Sequence, residues 1–176
     1  MLKILLLSFW GFLILPLRAY TQKPPILAIG VGFPEFTHLS VRLPFEKIQI
    51  GLSCGRALGV YSNADKPQPI SISADLRYYC GGKARYVERQ PWYGKLGLSF
   101  NRSESTEYRR DFIFLNPRIG REFNLTPRLG LELDWGVSIL LKHVRTRKMP
   151  QGPLLNDYTI DLPVFTGIST SLFFRL

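Results

Sequence analysis

Few residues in this 176-residue chain have types and spacings that could do chemistry. His38 and His143 are its two histidines. Neither has a second histidine or a cysteine at the short intervals that a metal site requires, so no metal and no cofactor is expected. Cys54 and Cys80 fall at opposite ends of neighbouring candidate strands. A disulfide needs Cα atoms about 5.5 Å apart, and the two cysteines are expected to remain free thiols. The last group is a cluster of cations, Lys142, Arg145, Arg147 and Lys148, gathered around His143. Its chemistry is phosphate or carboxylate binding. Contact with anionic lipid and a merely solvated rim are both open readings.

The elements that would position these residues begin with a leader. Met1 to Ala19 reads MLKILLLSFWGFLILPLRA, with Lys3 ahead of an apolar run, then Pro16 and a small residue at Ala19. This is the anatomy of a cleaved secretory signal peptide. The run from Ile4 to Leu15 is shorter than the ~20 apolar residues needed to span a bilayer as a helix, so export with cleavage near Ala19 is expected. Loss of Lys3 and Arg18 would take the formal charge from +10 to +8. So basic a chain would ordinarily suggest nucleic acid, but export removes that partner. Residues 20–176 are then expected to form one domain.

After the leader the sequence alternates with a period of two. From Leu129 the odd positions are Leu129, Leu131, Leu133, Trp135, Val137, Ile139 and Leu141. The even positions are small or charged, apart from Leu140. A helix would scatter both sets around its axis, whereas a strand sends them to opposite faces. The same alternation starts at Leu27, Leu39, Ile48, Ile70, Leu96, Ile113 and Ile168, which makes eight strands. Links at Glu46-Lys47 and Asn124–Pro127 are short, and Gly81–Gln90 is of medium length. Those at 55–69, 102–111 and 143–159 are longer and more polar, while the first link, around Pro34-Glu35, is brief. The stretch Arg102–Asp111, with charges of both signs, reads as a mixed-charge loop.

Two closed barrels fit eight such strands, and they differ in which face meets water. A soluble, lipocalin-like barrel would turn the apolar set inward around a ligand. The non-apolar face, however, collects glycines and serines together with Arg42, Asp75, Arg77, Lys95, Arg118, Glu122, Glu132, Asp134 and Arg175. A soluble exterior rarely spends so many positions on glycine. The narrow lumen of an eight-stranded barrel would, because small residues make room for long paired ones. Four carboxylates against five cations come close to the neutrality that buried charge requires. The expectation is therefore all-β: an eight-stranded antiparallel transmembrane β-barrel with a salt-bridged lumen.

The alternation runs to the end of the chain as Ser171-Leu172-Phe173-Phe174-Arg175-Leu176. With the pattern of the whole mature chain, this resembles small Gram-negative outer-membrane barrels of the OmpA/OmpX type. The resemblance implies outer-membrane localisation and contact with outer-membrane lipid and lipopolysaccharide. It also implies recognition of the last strand by the barrel-assembly machinery. Tyr78, Trp92, Tyr93 and Trp135 would contribute to the interfacial aromatic girdles. A structural or interaction role follows, with docking beside a larger outer-membrane complex as one form of it. Some barrels of this kind are lipid A-modifying enzymes with a histidine and a serine near the outer rim. By parity His143 would face lipid, but Arg145 stands two residues on, and Thr146 and Ser138 fall on the other face, so no catalytic residue is expected. A small-solute pore is a further alternative that the narrow, charged interior disfavours.

Overall fold

The period-two segments fold as strands, and the computed structural model describes residues 24–56, 69–84, 86–88, 90–104, 108–147 and 163–176. In chain order these strands are β1 (Ile26–Gly32), β2 (Phe36–Pro44), β3 (Ile48–Arg56), β4 (Ile70–Tyr79), β5 (Trp92–Glu104), β6 (Tyr108–Asn124), β7 (Leu129–Arg147) and β8 (Val164–Arg175). Each pairs antiparallel with the next, and β8 returns to β1 from Ile26↔Arg175 to Gly32↔Ser169, closing the barrel. Closure leaves no strand with an unpaired edge along this stretch.

Because side chains alternate across a strand, closure sorts the two sets cleanly. Ile29, Leu39, Leu52, Ile72, Trp135 and Ile168 point outward and are each more than half exposed. Arg42, Gln49, Arg77, Asn116 and Glu132 point inward and are almost completely buried. The inner face is the polar one, opposite to what a lipocalin-like barrel would show.

The links at one end are tight. Phe45 N–H donates to Ile48 O at 2.8 Å. Between β6 and β7, Leu125 and Thr126 N–H both donate to Leu129 O, and the Thr126 hydroxyl accepts from Leu129 N–H at 2.9 Å. Gly81 and Gly82 both adopt positive φ after β4, a conformation that only glycine reaches without strain.

The structure corrects the sequence reading in three places, two of them at the other end. First, the described part of the mixed-charge stretch, 102–104 and 108–111, is strand. β5 continues to Glu104, β6 starts at Tyr108, and their pairing runs through Arg102↔Asp111 to Glu104↔Arg109. Ladder hydrogen bonding and cross-strand ion pairing outweigh the polarity that suggested a turn. Second, β7 extends to Arg147 and contains a bulge. Phe114 pairs with Leu140 but Ile113 pairs with Lys142, so Leu141 is the extra residue. One extra residue reverses every side chain beyond it. Lys142 therefore faces outward with Ile113, while His143 faces inward with Phe112, against the lipid-facing parity expected for it. Third, Tyr93 is not a girdle residue. It is wholly buried in the lumen, whereas Tyr78, Trp92 and Trp135 are on the outside.

Neighbouring strands approach closely where one has glycine. A Cβ on Gly136 would lie 2.3 Å from Pro117 O and 2.7 Å from Arg118 Cα, both backbone atoms that cannot move aside. A Cβ on Gly94 would meet nothing within 4 Å. Gly136→Val is therefore expected to abolish the compact, heat-modifiable gel band of detergent-folded protein, and Gly94→Val to retain it. Equal behaviour of the two variants would contradict the β6–β7 register.

Candidate functional site: an ion-paired lumen beneath a basic rim

Glu132 on β7 is the centre of the lumen. Its carboxylate accepts a two-pronged hydrogen bond from Arg42 on β2, with both contacts at 2.6 Å, and a third from Arg77 on β4 at 2.7 Å. The planar guanidinium suits this bidentate geometry. Arg77 also donates through Nε to Asp75 at 2.7 Å, and its guanidinium lies 5.1 Å from the Tyr93 ring centroid. Glu132 thus ties β7 to β2 and β4 through side chains alone.

A second group lies one step along β7. Asp134 accepts from Arg118 on β6 at 2.8 Å and from Lys95 on β5 at 3.3 Å. Both cations also reach Glu35, at 2.9 Å and 3.7 Å respectively. Glu35 belongs to the brief link between β1 and β2, and it is buried. That link folds over the lumen. Arg118 donates to Phe33 O, and the Asn101 side-chain amide donates to Pro34 O at 2.9 Å. With Glu35 the nine charges singled out by parity become a balanced set of five cations and five carboxylates.

A third group lies at the opposite end, where Arg175 donates to Glu122 at 2.9 Å and to the Asn124 side chain at 2.7 Å. The Tyr79 hydroxyl donates to Glu122 at 2.5 Å and stands 2.8 Å from the Gln49 side-chain amide. All nine ionisable residues singled out by parity lie on the inner face and enter ion pairs. Sequence reasoning missed Glu35, Gln49, Tyr79 and Tyr93. For Glu35 the available signal was the one-charge deficit among the nine.

Above the second group the mouth is aromatic. Phe33 packs edge-on against Phe114 and Phe165, with centroids at 5.8 and 5.9 Å, and Phe112 stacks on His143 at 4.6 Å. The His143 ring is thus held inside the mouth. His38 is also internal, its Nδ1 3.1 Å from Phe36 O. Among the described residues no three of His, Cys, Asp and Glu stand where they could share a metal ion. Cys54 and Cys80 are both free and exposed.

The cation cluster of the sequence is divided by the bulge. Lys142 faces outward. Arg145 faces the barrel axis, its guanidinium 3.8 Å from the Tyr108 ring centroid. The backbone of Arg147 ends β7, its side chain is not among those described, and Lys148 lies outside the described residues. A different outer group appears on the ladder running from Arg56↔Ile70 to Ile70↔Arg102 and Arg102↔Asp111. Arg102 Nε and Arg109 Nη2 each donate to Asp111 at 2.8 Å. Partial burial opposes ionisation of the Asp111 carboxyl, but the hydrogen bonds from Arg109 and Arg102 outweigh it and hold its pKa below the ordinary value.

No protein-family model matches the chain, and no curated protein matches it in sequence. Solved structures do share its architecture. The chain has the eight-stranded fold of outer-membrane barrels. It is similar to the N-terminal β-barrel domain of Pseudomonas aeruginosa OprF, with 13% identity and a TM-score of 0.53 over 88% of this chain and 98% of that one. It is similar also to Neisserial surface protein A, NspA, with 15% identity and a TM-score of 0.52 over 86% of this chain and 93% of the other. At this identity the likeness is one of fold.

The lumen makes a quantitative prediction. Removing one partner of a buried ion pair costs about 3–5 kcal/mol, because the remaining charge is left without compensation. Glu132→Ala strands Arg42, leaves Arg77 with Asp75 alone, and is expected to fall in that range. Glu35→Ala leaves Asp134 in contact with both its cations and should cost less. Lys47→Ala, on an exposed turn, should cost under about 0.5 kcal/mol. Urea unfolding in detergent, followed by tryptophan fluorescence, gives the order directly.

Proposed function

We propose that this chain is a small outer-membrane β-barrel with a structural or interaction role, exported through a cleaved signal peptide. The observation that carries this reading is the inverted sorting of side chains: an apolar exterior around an interior closed by ion pairs. An exterior of this kind suits hydrocarbon, where closed barrels also leave no backbone group unpaired. On this reading the partners are outer-membrane lipid and lipopolysaccharide, the assembly machinery during insertion, and a larger outer-membrane complex beside which the barrel docks.

Two features weigh against the alternatives. Arg42, Arg77, Glu132 and Asn116 are packed across the lumen with almost no exposure, which disfavours a solute pathway. The lipid A enzyme reading requires a rim histidine on the lipid side, and His143 is turned inward onto Phe112.

Density-gradient fractionation of cells is expected to place the mature protein with outer membranes, and a folded, detergent-free periplasmic form would overturn the proposal. In planar bilayers the purified barrel is expected to show no stable conductance, and a sustained single-channel current would replace the structural role with a pore. His143→Ala is expected to leave the lipid A profile unchanged. An altered profile would reinstate the enzyme. Mild-detergent extraction is expected to recover the barrel with a partner, and repeated recovery of the barrel alone would count against docking.

A further inference from the structure

We propose that the outward face of the β5–β6–β7 extension is a binding site for the phosphate groups of lipopolysaccharide, formed by Arg102, Arg109 and Lys142. This rests on the outer-membrane reading and assigns a location to its lipid contact, one that differs from the cation cluster visible in the sequence.

Three observations place it. First, the ladder fixes which side chains share a face. Arg102 and Asp111 are opposite one another, Arg109 is two residues from Asp111, and Lys142 is opposite Ile113 because of the bulge at Leu141. Without that extra residue Lys142 would point into the mouth. Second, Asp111 holds the two guanidiniums through hydrogen bonds at 2.8 Å, yet Arg102 and Arg109 keep more than a third of their side-chain surface exposed. Glu104 stands opposite Arg109 on the same face, so two carboxylates balance the two guanidiniums. The net positive charge of the face is that of Lys142, with no carboxylate partner among the described residues. Guanidiniums oriented in advance lose less freedom when they take a phosphate in bidentate fashion. Third, the cations begin where the apolar exterior stops. The Arg102 guanidinium lies 5.3 Å from the Phe100 ring centroid. Phe100 pairs with Ile113, and Leu98 with Leu115, on the same outer face below. A phosphate seated here would have its acyl chains running down an apolar wall. That arrangement selects a phosphate carried on an amphiphile over a free anion. Arg110 and Arg145, paired on the opposite face of the same ribbon, do not take part.

Fluorescently labelled lipopolysaccharide is titrated into the full-length mature barrel folded in zwitterionic micelles, with heat-modifiable migration checked for every variant. The triple variant Arg102→Gln, Arg109→Gln, Lys142→Gln is expected to weaken binding by at least about tenfold, the scale of one lost charge-assisted contact. Lys142→Gln alone, which disturbs no internal ion pair, is expected to weaken it measurably. Arg110→Gln with Arg145→Gln is expected to change it little. Lipopolysaccharide stripped of its lipid A phosphates should bind the wild type as weakly as the triple variant binds the intact lipid, and millimolar inorganic phosphate should not compete. The site is overturned if the mouth-facing pair matters as much as the outward triple, if dephosphorylation has no effect, or if inorganic phosphate displaces the lipid. A wild-type chain that never folds in micelles would instead sink the membrane reading itself, so the two failures are distinguishable.

Discussion

Closure of β8 onto β1 is the constraint from which the rest of this molecule follows. Once eight strands are joined edge to edge, the lumen is only wide enough for side chains, and whatever points inward is cut off from water. A charge in that position cannot be left alone, since desolvating it costs several kcal/mol unless it is paired and hydrogen-bonded. The inner face meets this requirement in layers, with Glu122 and Arg175 at one end, Arg42, Glu132, Arg77 and Asp75 in the middle, and Asp134, Lys95, Arg118 and Glu35 beneath the mouth. The glycines and serines on the same face leave room for these long side chains to cross.

The first link shows how far this requirement reaches. In sequence Pro34-Glu35 is a brief connection between two strands, and nothing in its composition marks it as internal. In the folded chain its carboxylate completes the charge balance of the lumen, and its backbone carbonyls receive Asn101 and Arg118. A turn that would otherwise sit in solvent becomes the lid of the polar core. Above it, Phe33, Phe114 and Phe165 form an aromatic layer that separates the ion pairs from the mouth.

The longest strands carry the second theme. β6 and β7 extend well past the start of β8, which first pairs with β7 at Ile139↔Val164. The ribbon beyond that point has two faces of different character. Its axial face holds His143, Phe112, Tyr108 and Arg145, and its outer face holds Arg102, Arg109, Asp111 and Lys142. A single bulge residue, Leu141, decides which cation belongs to which face.

The eight strands, their antiparallel order and the parity of the nine inner charges were legible in the residues, because a period of two is a local property that survives any arrangement of the strands. Leu140, the one apolar residue on the small, polar face of its strand, marked the place where the period breaks, though not its consequence. Which carboxylate meets which cation, the burial of Glu35, the inward turn of Tyr93 and the reversal at His143 belong to the tertiary structure alone. Each depends on contacts between residues far apart in the chain, or on a one-residue register shift that alternation cannot reveal until the opposite strand is in place.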